Sequence, residues 1–273
     1  MQYSTFAAID IGSYDVILEI FEISKKQGIR SVDKICHRME LGKDTYTLGK
    51  IRPEMEEELC RVLADFVRIM EGYRVDDYRA TASSAISEAS NSLYVLGKIH
   101  QLTGLSVTVL SNSEQRFLSY KALAAMEDNF NKIIEKGTAI LDLDGGSFQI
   151  SLFDKDALVT TQNIRMGSLR IRERLAGIQS ETEHYEEMVE ELIWNEVSSF
   201  KKMYLKDRKI ENIMLIGDVF TDSVYQNIEE KTTKIISREN FNTWYEKIIR
   251  QSPMELAVKL GIPLENASLM YPS

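Results

Sequence analysis

Short apolar runs at strand spacing open the chain. FAAIDI (6–11) is apolar up to an aspartate, a Gly12-Ser13 turn follows, VILEIFEI (16–23) alternates apolar with polar residues, and GIRSVDKI (28–35) can pair as a third strand. The succession returns in GTAILDLDGGSFQISLFDKDALVTTQNIR (137–165): a strand ending in an aspartate, a small-residue turn and two further strands. Asp10 and Asp142 therefore hold equivalent places in a duplicated plan. Between the two meanders, helices are predicted from Pro53 to about Gly72, over 83–90 and 92–103, and from Ser111 to about Met126, with Pro53 suited to a first helical turn. Strands YRATA (78–82) and SVTVL (106–110) separate them. Beyond the second meander, MGSLRIRERLAG (166–177), residues 182–206, residues 238–251 and PMELAVKL (253–260) read as helices, and NIMLIG (212–217) as a buried strand. Each half alternates strands and helices, which makes the chain α/β. No Pro-, Gly- or Ser-rich linker marks a boundary, so a first domain, 1–127, and a second, 128–273, are divided on the repeat alone.

A length of 273 residues suits two domains of ordinary size, with 44% hydrophobic residues to fill their cores. Lys and Arg number 33 against 42 Asp and Glu, a net charge of -9. That balance argues against a general nucleic-acid or anionic-membrane binder, so any phosphate site has to be built locally. Cys36 and Cys60 lack metal or redox spacing and read as buried free thiols. His37, His100 and His184 are scattered, which speaks against a histidine metal site or a Ser-His-Asp triad. The start MQYSTFAAID has no basic segment leading into an apolar one, and no apolar run reaches the ~18 residues a membrane span needs. A cytoplasmic protein without nucleic-acid or membrane partners is expected.

A carboxylate at the end of a buried strand, followed by small residues, is a means of holding a metal-bound phosphate: the aspartate meets the metal and the backbone N–H groups meet the anion. Asp10-Ile11-Gly12-Ser13 and Asp142-Leu143-Asp144-Gly145-Gly146-Ser147 both have this form. One such loop alone reads as an ordinary turn; two at equivalent places point to a phosphate cleft.

At these residues the sequence resembles a known family. AAIDIGS, SSAISEASN, LSNSEQRFLSYKAL, ILDLDGGS and IRMGSLRIRERL, in that order, are similar to the segments of the Ppx/GppA family, the exopolyphosphatases and guanosine pentaphosphate phosphohydrolases. The resemblance implies two ribonuclease-H-like lobes of the actin and sugar-kinase type around a central cleft. It also implies Mg2+ held by Asp10 and Asp142, and phosphate bound by Gly12, Ser13, Ser84, Gly145, Gly146, Ser147, Gly167, Ser168 and Arg170. Glu88 and Asn91 match the same stretch as Ser84. Polyphosphate or guanosine pentaphosphate is the implied ligand, and a homodimer the implied assembly.

Several chemical positions depart from the family pattern. The glutamate taken there as general base is Gln115, and a neutral amide can orient a water but cannot accept its proton. The second turn has Asp144 for a glycine and Gln149 for a glutamate, a phosphate-facing arginine is Ser87, and Tyr14 and Asp15 stand for Asn and Ser. The late glycine turn reads Gly217-Asp218-Val219-Phe220. Gln115, Asp144 and Gln149 are thus the residues at catalytic positions. Two readings of the base remain open: Glu114 sliding into the register of Gln115, or Asp144 substituting from the facing loop. The expected protein is a phosphoanhydride hydrolase by descent with weak or absent turnover, and the alternative is a non-catalytic phosphate sensor or partner-binding protein. Arg165, Arg170, Arg172 and Arg174 form one basic group. Lys201, Lys202, Lys206, Arg208 and Lys209 form another, which reads as a solvated helix end. The aromatic residues and Met of the long helix, set among Glu and Lys, read as packing or an oligomer face.

Overall fold

A computed structural model describes residues 3–126, 129–176, 184–217, 237–248, 250–261 and 264–267. The chain forms two compact units, Met1–Lys121 and Ala122–Ser273. The boundary inferred near Asp128 falls outside the described residues.

In the first unit β1 (Ser4–Ile11), β2 (Asp15–Ser24) and β3 (Gly28–Arg38) make the antiparallel meander expected from their alternation. Two parallel strands, β4 (Asp77–Ala82) and β5 (Val107–Val109), extend the other side of β1, giving the order β3-β2-β1-β4-β5. The helices are α1 (Leu41–Leu48), α2 (Pro53–Tyr73), α3 (Ser84–Ser87) and α4 (Ser92–Thr103), followed by α5 (Asn112–Met126), which runs past Lys121 into the second unit. Period two puts Ala7, Ile9 and Ile11 of β1 on one face with Val16, Leu18 and Ile20 of β2; helical spacing puts Leu59, Leu63, Phe66 and Met70 on one stripe of α2. Both surfaces, with Val95 and Ile99 of α4, close into one continuous core.

The second unit repeats the plan with β6 (Thr138–Leu143), β7 (Phe148–Asp154), β8 (Ala157–Ile164) and β9 (Asn212–Gly217) in the order β8-β7-β6-β9. As in the first unit, the meander is antiparallel and the strand on its far side parallel. Its helices are α6 (Phe130–Ile134), α7 (Ser168–Leu175), α8 (Tyr185–Phe200) with a π-helical turn at Lys201–Leu205, α9 (Arg238–Ile248), α10 (Pro253–Leu260) and α11 (Leu264–Ala267). Among the described residues the buried apolar side chains here fall in separate clusters, such as Ile150, Leu152 and Phe200, or Ile171, Leu175 and Val189.

Four expectations need correction. Helix α1 was not anticipated, because it carries no cap signal: Glu40 before it is left-handed and no side chain caps its start. The helix expected over 83–90 contracts to α3, because Glu88 and Ala89 turn the chain toward α4. NIMLIG is not a buried strand: β9 is half-buried, with Ile213 63% exposed, because it has a neighbour on one side only among the described residues. Cys36 is exposed on β3, an outer strand, while Cys60 is buried in α2.

The entry to α2 depends on one buried carboxylate. Asp44 accepts from Arg52 N and Arg52 Nε, both at 2.9 Å, so that the residue before Pro53 is held in extended geometry as the helix starts. Asp44→Ala should lower stability by about 2 kcal/mol, the worth of hydrogen bonds to a charged group. Urea unfolding should show a lower midpoint at an unchanged slope, and an unchanged midpoint would refute this role for Asp44.

Candidate functional site

Both meanders turn in the same way. The strand pairing ends at Ile11↔Val16 in one and Leu143↔Phe148 in the other, which leaves residues 12–15 and 144–147 as turns. Each turn closes on itself: Gly12 N donates to Asp15 O at 2.9 Å, and Asp144 N to Ser147 O at 3.0 Å. The helix after the third strand then takes the next carbonyl. Ser13 O accepts from Gly42 N of α1 (2.9 Å), and Gly145 O from Arg170 N of α7 (3.0 Å). In a trans peptide the N–H points opposite the C=O, so these bonds direct the N–H groups of Tyr14 and Gly146 away from the helix. Such turns can receive an anion.

The two turns are braced by different side chains. Ser13 is fully buried, and its Oγ lies 2.6 Å from Tyr46 Oη of α1, which is itself 2.8 Å from Ser84 Oγ at the start of α3. Three hydroxyls thus join the turn to two helices. Asn91, which the resemblance aligns with the Ser84 stretch, works at a distance from the turn: its amide accepts from Ile51 N (3.0 Å) and donates to Ile51 O (2.8 Å). Tyr14 is 5% exposed, with the Arg38 guanidinium 4.8 Å from its ring centre. Its bulk is therefore turned into the protein and not toward a bound phosphate. Ser87 is exposed and Glu88 half-buried.

In the second unit Gly167 lies flat against the turn: a Cβ there would stand 2.2 Å from Asp144 O and 2.4 Å from Ser147 N. No larger residue fits. Arg170 donates from Nε to Gly146 O at 2.8 Å, so it braces the turn as well as standing beside it, and Ser168 opens the helix between them. Arg172 does not join a basic surface; it is buried and paired with Glu173 at 2.8 Å. Of the late glycine turn, Gly217 closes β9 with φ 94° and no room for a side chain beside Leu143 O. Asp218, Val219 and Phe220 lie outside the described residues.

Asp10 and Asp142 occupy equivalent rungs, Asp10 opposite Ile17 and Thr81, Asp142 opposite Gln149 and Ile216. Asp10 is exposed at the strand end, yet the protein packed around its carboxyl pushes its pKa up, opposed by the Thr81 hydroxyl at 3.4 Å. The exposure tempers that upward push, since water still reaches the residue. Gln149 is 4% exposed and lies opposite both Asp142 and Asn163, making a polar row across three strands. The Gln149 Oε1 and Asn163 Oδ1 atoms are buried without a hydrogen-bond partner among the described residues. Asp144 turns its carboxylate on its own turn, Oδ1 accepting from Gly145 N at 2.6 Å.

Glu114 is engaged in a helix cap. Glu114 Oε2 accepts from Ser111 N (2.9 Å) and Ser111 Oγ (2.7 Å), while Glu114 N donates back to Ser111 Oγ (3.3 Å). This is a capping box, and it holds Glu114 at the start of α5. Gln115 is the next residue, half-buried, its N–H bonded to Ser111 O. Sequence reasoning missed Tyr46 and Asn163. Tyr46 sits in the unsignalled α1, whereas Asn163 could have been found by counting rungs across from Gln149.

The bonds from Ser111 hold the Glu114 pKa below its ordinary value. A depressed carboxyl contributes stability above its unfolded pKa and loses it as pH falls through the folded value. Amide exchange in the first turn of α5 should therefore accelerate as pH drops through the acid side of the carboxylate range, after correction for intrinsic rates. Glu114→Gln should show no such step, and a step of equal size in that variant would refute the assignment.

The Ppx/GppA phosphatase family matches residues 19–261. A bifunctional 3-dehydroquinate synthase/phosphatase of Fusobacterium nucleatum is 22% identical over 238 residues, 82% of this chain and 34% of that protein. Exopolyphosphatase 1 of Mycobacterium leprae is 25% identical over 144 residues, 52% of this chain and 41% of that protein. The chain thus spans between a third and about two fifths of the length of these curated relatives in the matched regions. Among solved structures, an exopolyphosphatase from Cytophaga hutchinsonii superposes with a TM-score of 0.78 at 19% identity, covering 98% of this chain and 87% of that one. A Ppx/GppA family member from Aquifex aeolicus gives 0.71 at 19%, covering 99% and 90%. The duplicated α/β plan, its two aspartate-ended turns and a match over most of the length agree: the chain belongs to the Ppx/GppA phosphatase family.

Proposed function

We propose that this chain binds a condensed-phosphate anion at turns of the Ppx/GppA plan and hydrolyses it slowly or not at all. The binding half of this reading is carried by the two self-closed turns, whose Tyr14 and Gly146 N–H groups point away from the helices, and the weakness by the Asp144 carboxylate bonded to Gly145 N at 2.6 Å. It puts a negative charge on the turn whose N–H groups would otherwise serve an anion. Two like charges 4 Å apart at an effective dielectric of 20 repel by about 4 kcal/mol, enough to offset several neutral hydrogen bonds to phosphate. Gln115 adds a second loss, because a missing general base lowers rate by about 10² to 10⁴.

The reaction this reading implies is attack of water on a terminal phosphoryl group, with residue 115 in the role of orienting the water. Gln115 can accept a hydrogen bond from that water through Oε1 but leaves its proton in place. Asp144 is poorly placed to compensate, since Oδ1 is engaged by Gly145. Asp142 supplies one carboxylate for a hydrated Mg2+, and Gln149 stands opposite it on the same rung, its buried Oε1 without a hydrogen-bond partner among the described residues. Bound there, Mg2+ supplies neutralisation of phosphate charge. Among the described residues no group of three or more His, Cys, Asp and Glu gathers to cage a metal, so phosphate and water would complete the ligand set. The relatives' names support a polyphosphate ligand, and a nucleotide such as guanosine pentaphosphate shares the same phosphoanhydride chemistry.

Phosphate release should be measured on long-chain polyphosphate and on guanosine pentaphosphate with Mg2+, for the parent, Gln115→Glu and Gln115→Glu with Asp144→Gly. Negligible parent turnover with a rise of about tenfold or more in the double variant is expected. Robust parent turnover would overturn the reading of weak catalysis. Parent binding without turnover in any variant would favour the sensor, and no binding by any of them would remove the phosphate reading altogether.

A further inference from the structure

Three hydroxyls meet behind the first turn, and they are not equivalent. Tyr46 Oη of α1 stands 2.6 Å from Ser13 Oγ and 2.8 Å from Ser84 Oγ, while the two serine oxygens are 3.4 Å apart. Hydroxyl pairs prefer about 2.7–2.8 Å, so each serine is held by the tyrosine and hardly by the other. Ser13 is fully buried, whereas Tyr46 and Ser84 are both half-buried. An anion arriving from solvent can be met by Ser84, but it finds Ser13 enclosed.

The surrounding elements are already tied together without these hydroxyls. Gly42 N on Ser13 O joins the turn to α1, and Ser83 N on Ile11 O (3.1 Å) joins the start of α3 to β1. Between α1 and α3, the buried Thr45 Oγ1 donates to Ala85 O at 2.7 Å. Removing the Tyr46 hydroxyl leaves all three ties in place. What that hydroxyl does is order protons. A buried O–H has to donate to something, and among the described residues the hydroxyls within reach of Ser13 Oγ are Tyr46 Oη and, at the far limit, Ser84 Oγ. A phenol carries a single proton. With Ser13 donating to Tyr46 and Tyr46 to Ser84, the Ser84 oxygen is supplied from behind and its own proton is free to turn toward an acceptor outside the protein. The reverse order leaves the Ser13 proton buried without a close hydroxyl acceptor.

We propose that Tyr46 is a positioning residue for the anion site of the first unit, a relay that takes the proton of Ser13, gives its own to Ser84 and so presents the Ser84 O–H to a phosphate oxygen. This rests on the phosphate reading above and adds a preference within it. The site takes acceptor oxygens, those of an ionised phosphate, over a group that donates, because a donor would need the chain of hydroxyls reversed.

The first link is tested without any ligand. In the parent, Ser13→Ala should lower the urea midpoint; in the Tyr46→Phe background, where the Ser13 hydroxyl has lost its acceptor, the same substitution should raise it. A midpoint that falls equally in both backgrounds would overturn the relay. The second link is read by calorimetric titration of inorganic tripolyphosphate with Mg2+ into the parent, Tyr46→Phe, Ser84→Ala and the double variant, each verified as folded by circular dichroism. Tyr46→Phe should weaken binding about fivefold and Ser84→Ala about tenfold, with the double variant no weaker than Ser84→Ala because Tyr46 acts through Ser84. Losses that add in the double variant, or a Tyr46→Phe protein that binds as the parent does, sink the relay and leave the phosphate reading standing. No binding by the parent removes that reading and the relay with it.

Discussion

Both halves of the molecule depend on one backbone contact, in which the helix following the third strand donates an N–H to a carbonyl of the first hairpin turn. Gly42 does this for Ser13 and Arg170 does it for Gly145. The contact fixes which way the turn peptides face, and therefore where an anion could be received. It also explains the residue choices nearby. Gly167 must lack a side chain because α7 starts directly on the turn, and Arg170 serves twice, with its backbone and its Nε. A duplicated strand order alone would not fix the direction of the peptides in both turns; the helix anchors each one.

Around this shared contact the two copies have diverged in polarity. The first turn is braced by neutral hydroxyls, Ser13, Tyr46 and Ser84, which can reorient their protons to donate or accept. The second carries a carboxylate at Asp144 and, along the neighbouring rung, the amides Gln149 and Asn163 with buried oxygens left unmatched. A buried unsatisfied acceptor costs roughly 1–3 kcal/mol. Among the described residues the second unit's buried apolar side chains fall in several small clusters, whereas the first unit closes a single continuous core over α2 and α4.

The sequence exposed the duplicated plan because strand alternation and a terminal aspartate are local signals, written in six to eight residues at a time. Asp10 and Asp142 can be paired from their places in that pattern alone, and their rungs do match, down to the residue seven positions on in each meander. What the sequence concealed are contacts made across elements. Helix α1 has no cap and no clear apolar stripe, so Tyr46 and its hydroxyl network were invisible. For Tyr14 the sequence shows the identity and not the direction; packing under Arg38 turns it inward. The role of Arg170 was half legible. Its position in the motif pointed to the turn, but only the fold shows it bonded to a carbonyl of that turn.

The substitutions at residues 144 and 149 make physical sense together. A glutamate at position 149 would be a carboxylate with 4% exposure beside Asp142, and two such charges out of water require a cation or an upward pKa shift. Glutamine removes that requirement at the cost of an unmatched oxygen, which is far cheaper than an unmatched charge. An acid stands instead at position 144, where a backbone N–H of the turn satisfies it. A carboxylate at 149 would need a cation beside it, whereas one at 144 is served by the backbone, so the chain itself completes part of the hydrogen bonding of this turn, and any group arriving there has to displace a bond already made.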